Sequence, residues 1–490
     1  MKPRLGGMQV RNSVRLTLGG TLASGIVQFA TMVTLARLLT PTDYGFYVVA
    51  LSINALSTAF MASALERALI IEGDLGAMEG RSIPILCALV SVALVAFAIV
   101  MVIISTTGWA VAPGVLATVM GAQLIAAIAL VPRAKLRQIY RYPPIVGGEV
   151  AGLVIGNLFV GVVLAQRGFG PFALALGMMV GNAVSAFAIL AVDRTGLCGI
   201  RFKGLGELRA TALGTIKVSS AEAANSQITP LVLSALLGPV SLGLFNRIYN
   251  LAALPIQLLI SSVNRVTLAS FVDSSENRAQ SRMAIRRVVR IVAFLTIPVA
   301  AGIGGASDEF VRTVLGEQWI DGAPIVPFVT LAITAMMIAT VLGQLADANK
   351  RFDEKVRVQV ISTIILVIAT IVGSQADLIG VGIAILFASS ISLALSIDLA
   401  ARIIAVRRTT IVAWLLSSVA IGFVCFVLND KLGLLLENWP VYGAFCVQIA
   451  GSALMAGLGA LLLLRDVLVD LISTALPKSV ADRCRRLLRV

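Results

Sequence analysis

Run after run of about twenty apolar residues, the length a helix needs to cross ~30 Å of hydrocarbon, leaves this chain few ways to fold. Residues 14–36, 83–105, 324–345, 358–375, 378–400 and 411–428 are such stretches. The composition agrees: 58% of the 490 residues are apolar and 13% are charged, far from soluble globular usage. A membrane β-barrel would show short alternating segments instead, so the expected fold class is an all-α polytopic membrane protein. Fourteen transmembrane helices fit best, at about 14–36, 44–65, 83–105, 111–131, 146–165, 171–191, 213–237, 242–263, 288–306, 324–345, 358–375, 378–400, 411–428 and 441–464.

The charges test that count. With a cytoplasmic N-terminus, loops on the cytoplasmic side collect 34 of the 39 Lys and Arg, as positive-inside orientation requires. The other side receives Arg37, Arg167, Arg312 and Lys431, and Arg247 stands near an outer helix end. Net charge +14 is therefore topogenic and calls for no nucleic-acid partner. The first span is too long for the core of a cleaved signal and is expected to be retained. Five cysteines lack pairing or metal spacing, and the absence of histidine removes His-based catalysis, proton relays and His metal ligands. No cofactor and no enzyme activity are expected: no loop is long enough to fold as a soluble domain, and no GxxxxGK[ST] loop occurs.

The chain also repeats itself. Displaced by 198 positions, Arg11–Arg67 lies over Arg209–Arg265 with 13 identities in 57 positions and no gap. Leu35, Leu38, Leu39, Pro41 and Gly45 match Leu233, Leu236, Leu237, Pro239 and Gly243. Polar positions coincide as well: Thr17/Thr215, Thr21/Ser219, Ser24/Glu222, Gln28/Ser226 and Thr31/Thr229, which share one helical face. Because the copies begin at spans 1 and 7, they share orientation. The expected architecture is two parallel six-helix repeats plus two C-terminal helices: an N-lobe at 1–200, a C-lobe at 201–408, and spans 13 and 14 with a basic tail at 409–490.

The polar face supplies the candidate site. A carboxylate inside hydrocarbon costs several kcal/mol, about 2.5–3.5 on insertion scales, so Glu222 beside Asn225 on span 7 points to a wet central cavity shared with Ser24 and Gln28 of span 1. Helix–helix hydrogen bonding is the other reading for the serines and threonines. Arg247 and Asn250 lie on one side of span 8. Facing inward, Arg247 would hold a phosphate or acidic sugar by forked hydrogen bonds; facing outward, it would sit at the interface. Arg67 and Arg265 end spans on the basic side, where snorkelling to headgroups is the default. Glu222 is the candidate for coupling to protons or sodium. Trp109, Trp319 and Trp439 near outer span ends read as a membrane aromatic belt, and Pro230, Pro255 and Pro298 read as bends.

Leu35-Ala-Arg-Leu-Leu-Thr-Pro-Thr-Asp-Tyr-Gly45, Gly243-Leu-Phe-Asn-Arg-Ile-Tyr-Asn-Leu-Ala-Ala-Leu-Pro255 and Leu315-Gly-Glu-Gln-Trp319 followed by Ala323-Pro324 resemble segments of the bacterial polysaccharide transporter family. These are the Wzx-like flippases of the multidrug/oligosaccharidyl-lipid/polysaccharide superfamily. The resemblance implies two six-helix lobes around a V-shaped cavity in the bacterial inner membrane, with both termini cytoplasmic. It implies alternating access that moves an undecaprenyl-pyrophosphate-linked oligosaccharide outward for exopolysaccharide, capsule or O-antigen synthesis. The implied partners are that lipid-linked substrate, the bilayer and polysaccharide polymerase or assembly proteins. Cavity arginines bind the pyrophosphate or acidic glycan in such flippases, a role that falls here on Arg247, Arg67 and Arg265. A multidrug cation antiporter, a lipid II flippase and a non-transporting scaffold of an assembly complex are the rival readings.

Overall fold

The computed structural model describes residues 7–58, 112–139, 141–194, 226–257, 278–436 and 438–463, with single helical positions at 66, 90, 94, 97, 101, 260 and 271. Among them regular structure is entirely helical. Among the described residues, eight helices are long and apolar enough to cross a membrane, or nine if a pair bent by 45° counts as one span. The expected third span lies almost wholly outside the described residues. The chain divides into two compact units, Met1–Gly243 and Leu244–Val490.

In the first unit, α1 (Gly7–Leu38) and α2 (Pro41–Thr58) are separated by a sharp break. Asp43 Oδ2 accepts from the Thr40 amide at 3.0 Å and the Thr40 hydroxyl at 2.7 Å, while the Asp43 amide donates back to Thr40 Oγ1 at 3.3 Å. This reciprocal cap satisfies amides that a helix start leaves open, and Pro41 occupies a first-turn position where its missing N–H costs nothing. Helices α3 (Pro113–Ile128) and α4 (Leu130–Gln138) form the pair bent by 45°.

Helix α5 (Pro143–Gln166) packs on α6 (Pro171–Val192) through glycines. A Cβ added at Gly156 would lie 2.5 Å from Gly181 Cα, one at Gly181 2.8 Å from the Gly152 carbonyl oxygen, and one at Gly177 3.3 Å from Gly161 Cα. Backbone therefore meets backbone, as small-residue interfaces allow. The glycine spacing explains the local geometry. Gly152 and Gly156 are four apart, one α-turn, but Gly156 and Gly161 are five apart. An α-helix would carry Gly161 off the contact face; the π-helical stretch Leu153–Val160, with i→i+5 bonding, keeps it there.

Helix α4 ties the basic side of this unit together. Arg133 pairs with Glu149 of α5 at 3.5 Å, Lys135 with Asp193 at the end of α6 at 3.1 Å, and Arg137 with Glu66 at 3.1 Å. Helix α7 (Ser226–Gln257) starts in this unit. Within it Gly238 takes φ +79° immediately before Pro239, the point that corresponds to Thr40 in the first copy.

The second unit contains the rest of α7, then α8 (Arg278–Gly305), α9 (Ser307–Val314), α10 (Val326–Ala348), α11 (Phe352–Gly373), α12 (Asp377–Ile404), α13 (Arg408–Leu435) and α14 (Val441–Leu463). Helix α10 is the most enclosed, burying Val329, Ala332, Ile333, Ile338, Val341, Leu342 and Leu345, whereas α13 and α14 expose Leu416, Phe423, Leu454 and Leu462 as lipid-facing helices do. A glycine hairpin joins α11 to α12: a Cβ at Gly373 would lie 2.5 Å from the Gly380 carbonyl oxygen, and one at Gly380 3.2 Å from the Gly373 carbonyl carbon. Arg282 of α8 donates to the Ile404 and Ala405 carbonyls, each at 2.8 Å, and so closes the C-terminus of α12, where a cation is favoured. Pro298 stands within the continuous helical span of α8.

Trp319 departs from its expected belt position. It is 0% exposed within a 3-10 turn, Glu317–Ile325, and is the largest fully buried side chain described. Packing inside the unit outcompetes the interface here, because a Trp buries more apolar area than any other residue. Trp439 is exposed, and Trp109 lies outside the described residues.

Candidate functional site

Of the cavity candidates, four lie within the described residues. Ser24 and Gln28 occupy α1 one turn apart, the first half-buried and the second exposed. Arg247 and Asn250 occupy α7. Asn250 is exposed, and its Nδ2 donates to the Asn246 carbonyl at 2.8 Å and to Asn246 Oδ1 at 2.9 Å. Arg247 is half-buried with its Nε shielded from solvent. One helical turn thus holds a cation beside two amide side chains, a set that suits an anionic, hydroxyl-rich ligand. Asn225, Glu222, Arg67 and Arg265 lie outside the described residues.

The repeated stripe is not uniformly exposed. Thr31 and Thr229 are both 8% exposed, whereas Gln28 and its counterpart Ser226 are both exposed. Burial also recurs across the 198-residue displacement at Leu35/Leu233, Ala36/Ser234, Tyr44/Leu242, Gly45/Gly243, Ala50/Ile248 and Ile53/Leu251. Burial is thus shared at these positions, whereas Val48, Val49 and Ser52 are buried where their counterparts Asn246, Arg247 and Asn250 are half-buried or exposed.

Sequence reasoning missed a buried polar cluster in the second unit. Asn429 of α13 donates to the Gly302 carbonyl of α8 at 2.8 Å and to Ser452 Oγ of α14 at 2.7 Å, and Gln448 Nε2 donates to the Asn429 carbonyl at 3.3 Å. Asn429 is 1% exposed and Gln448 0%. An amide inside an apolar span is itself the signal, since burying it unbonded costs several kcal/mol (about 2–7); its partners are not legible without the fold. Among the described residues no group of three metal-ligating side chains occurs.

The family described as polysaccharide biosynthesis protein matches residues 34–324, more than half of the chain. The chain belongs to that family. Among its curated relatives, the lipopolysaccharide biosynthesis protein WzxC of Escherichia coli (strain K12) is 27% identical over 173 residues, 35% of each chain. The succinoglycan biosynthesis transport protein ExoT of Rhizobium meliloti (strain 1021) is 23% identical over 355 residues, 68% of each. The chain thus spans only about a third of the length of WzxC. The fold is shared with solved transporters. A structure of the lipid II flippase MurJ in an inward closed conformation superposes with a TM-score of 0.70 over 93% of this chain and 100% of that one, at 16% identity. An inward-facing multidrug resistance MATE transporter gives a TM-score of 0.54 over 80% and 95%, at 14% identity.

Proposed function

We propose that this chain is a secondary transporter that moves lipid-linked oligosaccharide units from the cytoplasmic to the outer leaflet of the bacterial inner membrane, by alternating access. The observation that carries the reading is the family match over residues 34–324 on a chain whose described helices are apolar spans. The recurrence of burial and exposure at matched positions supports duplication into two parallel six-helix repeats. Two further helices bring the number of spans to fourteen, with both termini on the basic, cytoplasmic side. In this reading Arg247 and Asn250, with Ser24, Gln28, Asn225, Arg67 and Arg265, line the substrate path, and Glu222 couples transport to an ion. Forked hydrogen bonds from Arg247 hold the pyrophosphate or an acidic sugar, and the prenyl tail stays in lipid. Polymerase or assembly proteins receive the product.

The test is reconstitution in proteoliposomes with a labelled prenyl-pyrophosphate oligosaccharide, scored by access of an external glycosidase. Purified protein is expected to expose the glycan far faster than protein-free vesicles. Arg247→Ala is expected to slow this about tenfold or more, given 1.5–3 kcal/mol for a hydrogen bond to a charged group. Exposure at the protein-free rate overturns the proposal. Glu222→Gln leaving the ion dependence intact removes Glu222 from its role.

A further inference from the structure

The segment Leu-Leu-x-Pro-x-x-x-Gly occurs at 38–45 and again at 236–243, and both copies lie in the first unit. There the copies pack on one another. A Cβ added at Gly45 would overlap the Pro239 carbonyl oxygen and lie 2.8 Å from Pro239 Cα. A Cβ added at Gly243 would overlap the Pro41 carbonyl oxygen, 2.8 Å from the Pro41 carbonyl carbon and 3.1 Å from the Gly45 amide nitrogen. The contact is reciprocal: the glycine of each copy takes the proline carbonyl of the other. That exchange is what a two-fold axis between equivalent segments produces. Tyr44 and Leu242, at matched positions beside the glycines, are 2% and 0% exposed.

The first copy sits at the break between α1 and α2; the second lies within α7, where separate spans 7 and 8 are expected. Thr40 with its Asp43 cap marks the break in the first copy, and Gly238 takes φ +79° at the matching point of the second. The arginine bias puts both segments on the outer side of the membrane. Carbon atoms in contact prefer about 3.5–4.0 Å, so even one methyl at either glycine forces the segments apart.

We propose that this glycine–proline contact is an outer latch, which parts for the substrate path to open outward and closes by backbone packing. Positions 45 and 243 are glycine because any side chain would prop the latch open. The inference rests on the alternating-access reading above and names its outer closure.

Labelling decides it. On a background with the five native cysteines replaced, Leu242→Cys places a thiol in the closed contact. A membrane-impermeant maleimide added to intact cells is expected to react slowly with it. Adding Gly45→Ala, and more so Gly45→Val, is expected to raise the reaction rate about tenfold or more, while Gly19→Ala, with open space around its Cβ, leaves it unchanged. Equal rates in the parent and both Gly45 variants overturn the proposal. A second arm avoids the wedge: in Thr42→Cys/Ser241→Cys protein, bridging by a short reducible thiol cross-linker is expected to stop glycan exposure until reductant is added. Exposure continuing while the bridge is intact also overturns the latch. The labelling arm needs no transported substrate. An inactive parent therefore counts against the transport reading, while the labelling rates still decide the latch.

Discussion

Replacing Gly156 with alanine measures how closely α5 and α6 are packed. The added methyl would lie 2.5 Å from Gly181 Cα, about 1 Å inside the 3.5–4.0 Å at which carbons rest. The obstacle is backbone on a helix that itself has no side chain to move, so the pair must part or shift along its axis. Overpacking of this kind costs about 1–3 kcal/mol, and the upper end applies where no flexible side chain yields. Alanine recovers about 1 kcal/mol of helix propensity relative to glycine. The net expectation is roughly 2 kcal/mol of destabilisation, at the upper end of the 5–30-fold shift that one or two kcal/mol brings in the folded-to-unfolded ratio. The assay is the thermal midpoint of detergent-solubilised protein, followed by helical circular dichroism. Gly147→Ala on the same helix is the control. Its Cβ meets nothing within 4 Å, so it should unfold at or above the wild-type midpoint. If Gly156→Ala unfolds together with Gly147→Ala, the close glycine contact and the π-turn argument built on it are both wrong.

Two other substitutions separate packing from position. Trp319→Ala is expected to cost about 3–5 kcal/mol, as for a fully buried aromatic, and to lower the same midpoint sharply; a midpoint within error of wild type would return Trp319 to the membrane belt. Asn429→Ala and Ser452→Ala are expected to be non-additive, with a coupling of about 0.6–1.7 kcal/mol in a double-mutant cycle. Strict additivity would mean that the 2.7 Å bond between them does not help to fasten α14.

Helix existence and rough bounds were legible because the solvent imposes a minimum length: the runs expected at 171–191 and 378–400 appear as Pro171–Val192 and Asp377–Ile404. The break at Thr40 was legible through Pro41 and the repeat. The π stretch was not foreseen, although the five-residue step from Gly156 to Gly161 carries it, since periodicity templates assume one α-turn throughout. Trp319 was misplaced because hydropathy cannot tell a residue facing lipid from one facing its own unit. The amide pairs of Asn429 and Gln448 depend on helices 19 and more residues apart in sequence, and one chain gives no register between such elements. For the candidate site, the Arg247 and Asn250 face was readable from i,i+3 spacing, whereas its inward or outward orientation depends on neighbours that periodicity does not specify.

Arg133, Lys135 and Arg137 each hold a carboxylate from a separate segment, on the side where the chain concentrates its cations. In the proposed topology, the residues that orient the polypeptide during insertion are the same ones that neutralise Glu149, Asp193 and Glu66. In that topology, losing one of these cations would leave an acid without its partner and weaken the topology signal in the same stroke. Such positions can drift only in compensated pairs, so this short stretch should carry co-varying charges rather than the loose lysine–arginine exchange of an ordinary basic loop.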